Sequence, residues 1–389
     1  MGYERVSSIV ASQIISMTLV DFLTFVIVLI TSGHFTIKLL GQFMLILIIQ
    51  IMVVSSVAVI AVRIHWKVFP PIRLLEVFGD HENDLFIKMN DLPHKYHIAV
   101  RIHYLSKKLE EDILNYDAVL INDIPAGARN KLIKLCFEKN RKVYFVPKIS
   151  DIIIKNAEEL NVIDAPLFLS CNRQISRFTQ VIKRTFDVVF SLIALILLSP
   201  LFLTISLAIK LDDGGPVFFK QERCTIGGKK FTIIKFRSMI VDADKNGEVH
   251  PAEYEDMRIT KIGKYLRVFR LDELPQFLNI LRGDMSVVGP RPERVEHIEK
   301  YTQEIPEFCF RNKVKGGLTG YAQVYGKYNT TALDKLKLDL VYIMQYSIPL
   351  DIEIMIETIK VLFQKESTEG FSKARVAEMN KIYQQNKSL

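Results

Sequence analysis

Apolar positions in this 389-residue chain follow two patterns: long unbroken runs, and short bursts that alternate with charged stretches. The first run is Ile9 to Thr31, with Asp21 as its one ionisable residue, and the second is Leu39 to Val62, with none. Each is about 23 residues, enough to cross a bilayer core as a helix. The first is too long for the apolar core of a signal peptide, and another run follows at once. The short link, Ser32 to Lys38, predicts a helical hairpin. Arg63, Lys67 and Arg73 follow the second run whereas the link holds only Lys38, which places both hairpin ends in the cytosol. Asp21 reads as a polar contact between the two helices, with a functional intramembrane carboxylate as the alternative.

After Pro70 and Pro71 the pattern shortens. Leu74–Phe78, His97–Val100, Ala118–Ile121 and Lys142–Val146 read as buried strands, with helices at Leu105–Leu114 and Pro125–Asn140 between them. That alternation predicts a small parallel, Rossmann-like α/β domain over 71–169. Its first strand runs into Gly79-Asp80-His81-Glu82 rather than a GxGxxG turn, so the cradle for a dinucleotide pyrophosphate is missing. Two Tyr-x-x-x-Lys pairs, Tyr104/Lys108 and Tyr144/Lys148, match too cheap a pattern to carry an oxidoreductase. The domain reads as regulatory or architectural. A polar, basic linker over 170–182 follows.

A third apolar run, Phe186 to Ile209, has Ser199-Pro200 in its middle and basic residues on both sides: Arg177, Lys183 and Arg184 before, Lys210, Lys220 and Arg223 after. Proline removes a backbone donor and kinks or breaks a helix. A crossing helix would leave one basic flank outside, against the positive-inside bias. These features leave two readings open: an ordinary kinked span, and a helix over 186–209 that dips in and returns. In the second, the Ser199 hydroxyl is a candidate partner for a freed backbone group.

Composition narrows the rest. Apolar residues make up 49% and charged residues 24%, so membrane-embedded and water-facing parts coexist. The net charge of +8 suits nucleic acid, anionic lipid or phosphate-rich substrates, and the apolar runs favour the last two over nucleic acid. Cys136, Cys171, Cys224 and Cys309 have no metal-ligand spacing and form no disulfide framework. The eight histidines are scattered as well.

The candidate chemistry lies beyond residue 210, in three segments. In the first, Gln221-Glu222-Arg223 and the Gly227-Gly228-Lys229-Lys230 turn precede Lys235 and Arg237, which would share one side of a strand and suit a polyphosphate. A solvated basic hairpin is the plain alternative. In the second, Arg267 and Arg270 lead into Leu271-Asp272-Glu273-Leu274-Pro275-Gln276, with Asp272 placed as a helix N-cap. An ionised aspartate there could attack phosphorus if cations screen the repulsion, with Glu273 holding a divalent ion. Ordinary capping accounts for the same pair. In the third, Gly289-Pro290-Arg291-Pro292 stiffens the backbone around Arg291, as a phosphate clamp or as a rigid connector.

In order along the chain, Lys183-Arg184-Thr185-Phe186-Asp187, Ser199-Pro200, Lys235-Phe236-Arg237-Ser238-Met239, the Leu271–Gln276 segment, Gly283–Pro292, Gly317–Val324 and Asp339–Ile343 resemble the bacterial sugar transferase family, the polyprenyl-phosphate glycosyl-1-phosphate transferases. The likeness covers about 183 to 364. The preceding helices and α/β domain resemble, more weakly, the family's long members. The resemblance implies a membrane protein of mixed α/β and mainly α class. It would comprise a transmembrane hairpin (1–70), the α/β domain and a monotopic catalytic domain (183–389) whose re-entrant helix breaks at Ser199-Pro200. It implies an enzyme of the bacterial cytoplasmic membrane, catalytic on the cytosolic face. Such an enzyme moves a sugar-1-phosphate from a UDP-sugar to polyprenyl (undecaprenyl) phosphate and releases UMP, as the first membrane step of exopolysaccharide, capsule, O-antigen or glycoprotein glycan assembly. Asp272 and Glu273 would be the catalytic pair, Asp272 forming a covalent aspartyl intermediate and Glu273 ligating Mg2+. Arg267, Lys235, Arg237, Arg291 and Arg223 would face substrate phosphate. Three departures stand out: Gly316-Gly317 where the family usually has Pro-Gly, predicting a looser turn; Met257 before Arg258; and Cys224-Thr225. The sugar, a homo-oligomer and the α/β domain's ligand stay open. A silent scaffold for glycan assembly is the rival reading, and the intact carboxylate pair argues against it.

Overall fold

The computed structural model describes residues 6–80, 85–90, 92–162, 165–170, 176–241, 258–326 and 330–362. His81, Glu82, Cys171, Met257 and the chain beyond 362 lie outside them. The chain divides into two compact units between Val146 and Pro147.

The first unit begins with α1 (Val6–Ser32) and α2 (Ile37–Val68), joined at Gly33, whose φ is +67°. Thr36 caps α2 by accepting from Leu39 N at 3.2 Å. Both helices are long and apolar enough to cross a membrane, and many of their large apolar side chains are exposed, with Val62 of α2 buried. The Phe25 and Phe43 rings meet 4.6 Å apart. Asp21 Oδ2 is buried without a hydrogen-bond partner, so the polar contact expected of it is not made through that oxygen.

Next come β1 (Ile72–Phe78), α3 (Leu85–Asn90), β2 (Tyr96–His103), α4 (Leu109–Asp112), β3 (Ala118–Asn122), α5 (Ala126–Glu138) and β4 (Lys142–Phe145). The strands form one parallel sheet in the order β2-β1-β3-β4. The helix expected over Leu105–Leu114 shrinks to one acidic turn and a 3-10 turn. A Cβ at Gly79 would collide with the Asp123 carbonyl, so the loops leaving β1 and β3 touch where a dinucleotide fold keeps its crevice open. The sheet also buries a charge, Glu76, which accepts from Arg101 Nε at 2.7 Å and Asn122 Nδ2 at 2.8 Å. Trp66 of α2 stacks on His94 at 3.8 Å, fixing the hairpin to this sheet.

The second unit starts earlier than residue 169, with α6 (Ile149–Ile154) and the antiparallel hairpin β5 (Glu158–Val162) and β6 (Ala165–Leu169). Ile152 is buried with Phe308, Leu336 and Leu340. Then follow α7 (Arg177–Asp213), the antiparallel hairpin β7 (Phe218–Cys224) and β8 (Lys230–Phe236), α8 (Lys261–Val268), α9 (Gln276–Arg282), β9 (Ser286–Val288), α10 (Val295–Glu304), β10 (Gly317–Thr319) parallel to β9, α11 (Tyr321–Tyr325), α12 (Ala332–Met344) and α13 (Ile348–Leu362). α12 and α13 contribute Leu336, Leu340, Tyr342 and Ile354 to buried clusters, so this C-terminal stretch is packed into the second unit.

α7 is a third helix apolar and long enough to cross. The break expected at Ser199-Pro200 is not there: the helix runs on through Pro200, whose missing N–H deprives the Ile196 carbonyl of its donor. The Ser199 hydroxyl donates to that same carbonyl at 2.8 Å. The proline and the serine thus form one device: one frees an acceptor and the other satisfies it.

Candidate active site

The carboxylate pair sits on a 3-10 turn, Leu271–Glu273, entered through Arg270 in the left-handed region at φ +54°. Asp272 is not the helix cap expected from the sequence. Leu274 and Pro275 intervene, and α9 begins at Gln276. Buried Asn279 ties this segment to β8, accepting from Ile234 N at 3.0 Å and donating to Thr232 O at 2.7 Å. That tie sets Lys235 beside the turn, its Nζ 3.0 Å from Glu273 Oε1.

Arg291 arrives from the other side. Its guanidinium forks onto Glu273, NH2 to Oε1 and NH1 to Oε2, the latter at 3.3 Å. A paired, bidentate contact of this kind orients both groups. Arg223 serves the same loop differently, donating to Pro292 O at 3.2 Å. The Gly316-Gly317 turn is close-packed, not loose. A Cβ at Gly316 would strike Pro292, and one at Gly317 would strike Gly289. Glycine here lets two backbones meet.

The electrostatics divide the two carboxyls. Burial raises the Asp272 pKa, Lys235 and Arg267 pull it down, and Glu273 pushes it up; the net direction is upward. Burial acts to raise Glu273 too, but Arg291 and Lys235 outweigh it and hold Glu273 well below the usual carboxylate range. Two adjacent carboxyls in environments that push their pKa values apart suit two different roles. Burial lowers the Lys235 and Arg270 pKa values and lowers Arg223 to about 10.

The structure therefore brings Asp272, Glu273, Lys235 and Arg291 together, with Arg267 and Arg270 close enough for their charges to be felt. Arg237 stands apart. β8 ends at Phe236, and Arg237 turns to pair with Asp213 at the end of α7, its guanidinium lying against Gly215. The Gly227-Gly228-Lys229-Lys230 turn is exposed at the opposite end of the β7–β8 hairpin from Lys235. Both Glu273 oxygens are engaged by cations, and no cluster of three metal-ligating side chains exists among the described residues. The described residues offer a divalent ion one carboxylate here, Glu273, whose oxygens are already bonded to Lys235 and Arg291, so most of the ligands would have to come from the substrate phosphates.

Sequence reasoning gave Lys183, Arg184 and Asp187 no individual role. Lys183 bonds Asp351 Oδ2 at 2.6 Å and Val288 O at 3.1 Å. Arg184 donates to Ile280 O and Leu281 O at the end of α9. Asp187 accepts from Val287 N at 3.0 Å and Ser286 Oγ at 3.1 Å. These side chains fasten the start of α7 to the strand and helix that frame the site.

A conserved-domain description, "Bacterial sugar transferase", matches residues 178–365. The chain is 35% identical over 294 residues to a UDP-N-acetylgalactosamine-undecaprenyl-phosphate N-acetylgalactosaminephosphotransferase of Aeromonas hydrophila, covering 73% of this chain and 65% of that one. It is 40% identical over 243 residues to a UDP-glucose:undecaprenyl-phosphate glucose-1-phosphate transferase of Escherichia coli, covering 60% and 51%. It is 36% identical over 189 residues to an uncharacterized sugar transferase of Bacillus subtilis, covering 49% and 91%. The chain belongs to the bacterial sugar transferase family. It spans 65% and 51% of the first two relatives, whose names carry different sugars.

Proposed function

We propose that this chain transfers a sugar-1-phosphate from a UDP-sugar to undecaprenyl phosphate, releasing UMP. The observation that carries the reading is the half-buried Asp272 beside Glu273, with Lys235 and Arg291 held on the latter. A nucleophilic carboxylate needs cations to meet an anionic phosphate, and this turn supplies them. Asp272 attacks the phosphorus that bears the sugar. Its bond to the bridging oxygen breaks, and UMP leaves with that oxygen. The product is a sugar-phosphoryl aspartate. An oxygen of undecaprenyl phosphate then attacks the same phosphorus, the bond to Asp272 breaks, and the lipid departs as a diphosphate-linked sugar with the carboxylate regenerated. Arg291 and Lys235 orient the phosphate and neutralise its charge through both steps. Magnesium, entering with the diphosphate, would take Glu273 as its ligand and screen the two anions from each other.

The membrane reading extends to α7. Its start is bonded to α9 and β9 through Arg184 and Asp187, and its end packs Ile205 and Ile209 against Phe236 and Leu266 of the same compact unit. About 18 residues separate Asp187 from Ile205, roughly 27 Å of helix, close to a bilayer's hydrocarbon thickness. A crossing helix would put those anchor points on opposite faces of the membrane, whereas one compact unit holds both. This supports an α7 that keeps both ends on one side of the membrane, without the break at Ser199-Pro200 that a helix dipping in and returning would need; the cytosolic face of the cytoplasmic membrane and the first membrane step of surface-glycan assembly belong to the proposed reaction.

The test is UMP release from a panel of UDP-sugars by detergent-purified protein with undecaprenyl phosphate and magnesium, wild type beside Asp272→Asn. Lipid-dependent release with one donor, lost in the variant, is expected and names the sugar. Full activity in Asp272→Asn refutes the nucleophile, and silence across the panel makes a scaffold the better reading.

A further inference from the structure

Four consecutive carbonyls of the loop that carries Arg291 each accept a hydrogen bond from outside the loop. Gly317 N donates to Pro290 O at 2.9 Å, Arg311 NH2 to Arg291 O at 2.9 Å, Arg223 NH1 to Pro292 O at 3.2 Å, and Cys224 N to Glu293 O at 3.1 Å. Two of these are backbone bonds that come with the neighbouring strands. Arg311 is different. It comes from a 3-10 segment, Pro306–Lys313, and is only 2% exposed. Its NH2 lies 2.8 Å from Asp339 Oδ2, and its NH1 lies 3.4 Å from Glu293 Oε1. Glu293 is further held by Lys335 at 2.8 Å. A neutral donor would satisfy one carbonyl. Arg311 does more: its NH2 donates to the carbonyl, while its charge is held between two buried carboxylates, Asp339 and Glu293, as ion pairs rather than through further hydrogen bonds.

We propose that Arg311, seated between Asp339 and Glu293, is a positioning residue that fixes the Arg291 backbone, so that the Arg291 guanidinium stays aimed at Glu273 and the donor phosphate. The inference rests on the proposed reading of the site only in naming that phosphate. Lysine at 311 keeps the charge but cannot reach Asp339, Glu293 and the carbonyl together, so it separates positioning from charge. A reacting group displaced by about 1 Å loses up to about a hundredfold in rate.

The test uses full-length protein in detergent, with Arg311→Lys and, in case that variant folds poorly, Asp339→Asn, which keeps an acceptor and drops the charge. Amide hydrogen exchange in the 289–294 segment is expected to rise several-fold in Arg311→Lys, with α9 unchanged, and to rise less in Asp339→Asn. In UMP release, kcat for Arg311→Lys is expected to fall on the order of tenfold while KM for the UDP-sugar moves little. In an Arg291→Gln background Arg311→Lys is expected to add no further loss. Unchanged exchange in the loop overturns the proposal, as does a loss that multiplies fully in the double variant. A wild type that releases no UMP overturns the proposed function instead, and loop exchange still decides the role of Arg311.

Discussion

Replacing Lys183 with methionine tests whether the start of α7 holds the site together. The Lys183 ammonium touches Asp351 Oδ2 at 2.6 Å, Val288 O at 3.1 Å and Tyr342 Oη at 3.4 Å, and Tyr342 Oη donates to Asp351 Oδ1 at 2.9 Å. Lys183 is 15% exposed and Asp351 6%. Methionine keeps the length and the apolar stem but leaves Asp351 buried without its cation. Breaking one side of a buried pair costs about 3–5 kcal/mol. The lower end applies here, because Tyr342 still donates to Asp351 and burial already raises the Asp351 pKa, letting it take up a proton. About 3 kcal/mol, at 2–4 °C per kcal/mol for a unit of this size, lowers the melting temperature by about 6–12 °C. The assay is thermal unfolding of the detergent-purified protein, with Lys183→Met/Asp351→Asn as the control. The double variant removes the stranded charge, and at least half the loss should return. A single variant that melts within about 2 °C of wild type refutes the reasoning, as does a double variant no better than the single. UMP release should fall with the single variant, since Val288 leads directly into the Arg291 loop.

Four further outcomes follow from the geometry. Ser199→Ala strands the Ile196 carbonyl in an apolar helix at about 1–3 kcal/mol, and Pro200→Ala in that background restores the donor, so in nanodisc unfolding the double variant should be the more stable; a Ser199→Ala protein that melts like wild type refutes the pairing. Burial raises the Asp339 pKa to about 6 from 3.8. This group therefore favours the fold most below pH 3.8 and loses that contribution as pH rises through 6, about 3 kcal/mol in all, so the stability difference between wild type and Asp339→Asn should change across that window, and a flat difference refutes it. The Arg267 charge pulls the Asp272 pKa down, so Arg267→Gln should move the acid limb of the UMP-release profile to higher pH; an unmoved limb refutes that influence. Gly289→Ala would push a Cβ into the Lys315 carbonyl and the Gly317 backbone, parting β9 from β10, and should abolish activity; retained activity shows that the loop has slack.

Local pattern made much of this legible. The three apolar runs are helices, and the four strand bursts form one parallel sheet; the central strands β1 and β3 are buried and write themselves as apolar runs, whereas β2 and β4, expected to be buried, lie at the sheet edges and are partly exposed. The Ser199–Pro200 device was readable because both halves are adjacent in sequence. What escaped were pairings across distance. Glu76 lies inside an apolar strand, and its partners, Arg101 and Asn122, sit on two other strands. Arg237 shares a strand pattern with Lys235 but leaves the register one residue past the strand end and joins α7. Asp272 read as a cap because a carboxylate before a proline is a capping signal, whereas the left-handed Arg270 converts the entry into a 3-10 turn. Arg311 and Asp339 are 28 positions apart (339 − 311) and meet only in the folded unit.

The backbone of Arg270 carries one more consequence. A residue with a side chain at φ +54° bears a strain of about 1 kcal/mol that glycine would relieve. Glycine would also remove the guanidinium whose charge is felt by Glu273, Arg291 and Asp272. Selection for thermal stability alone should therefore drift toward Arg270→Gly and deliver a tougher, slower protein, whereas selection for turnover should keep the arginine. A library screened separately for heat resistance and for UMP release would divide at this position.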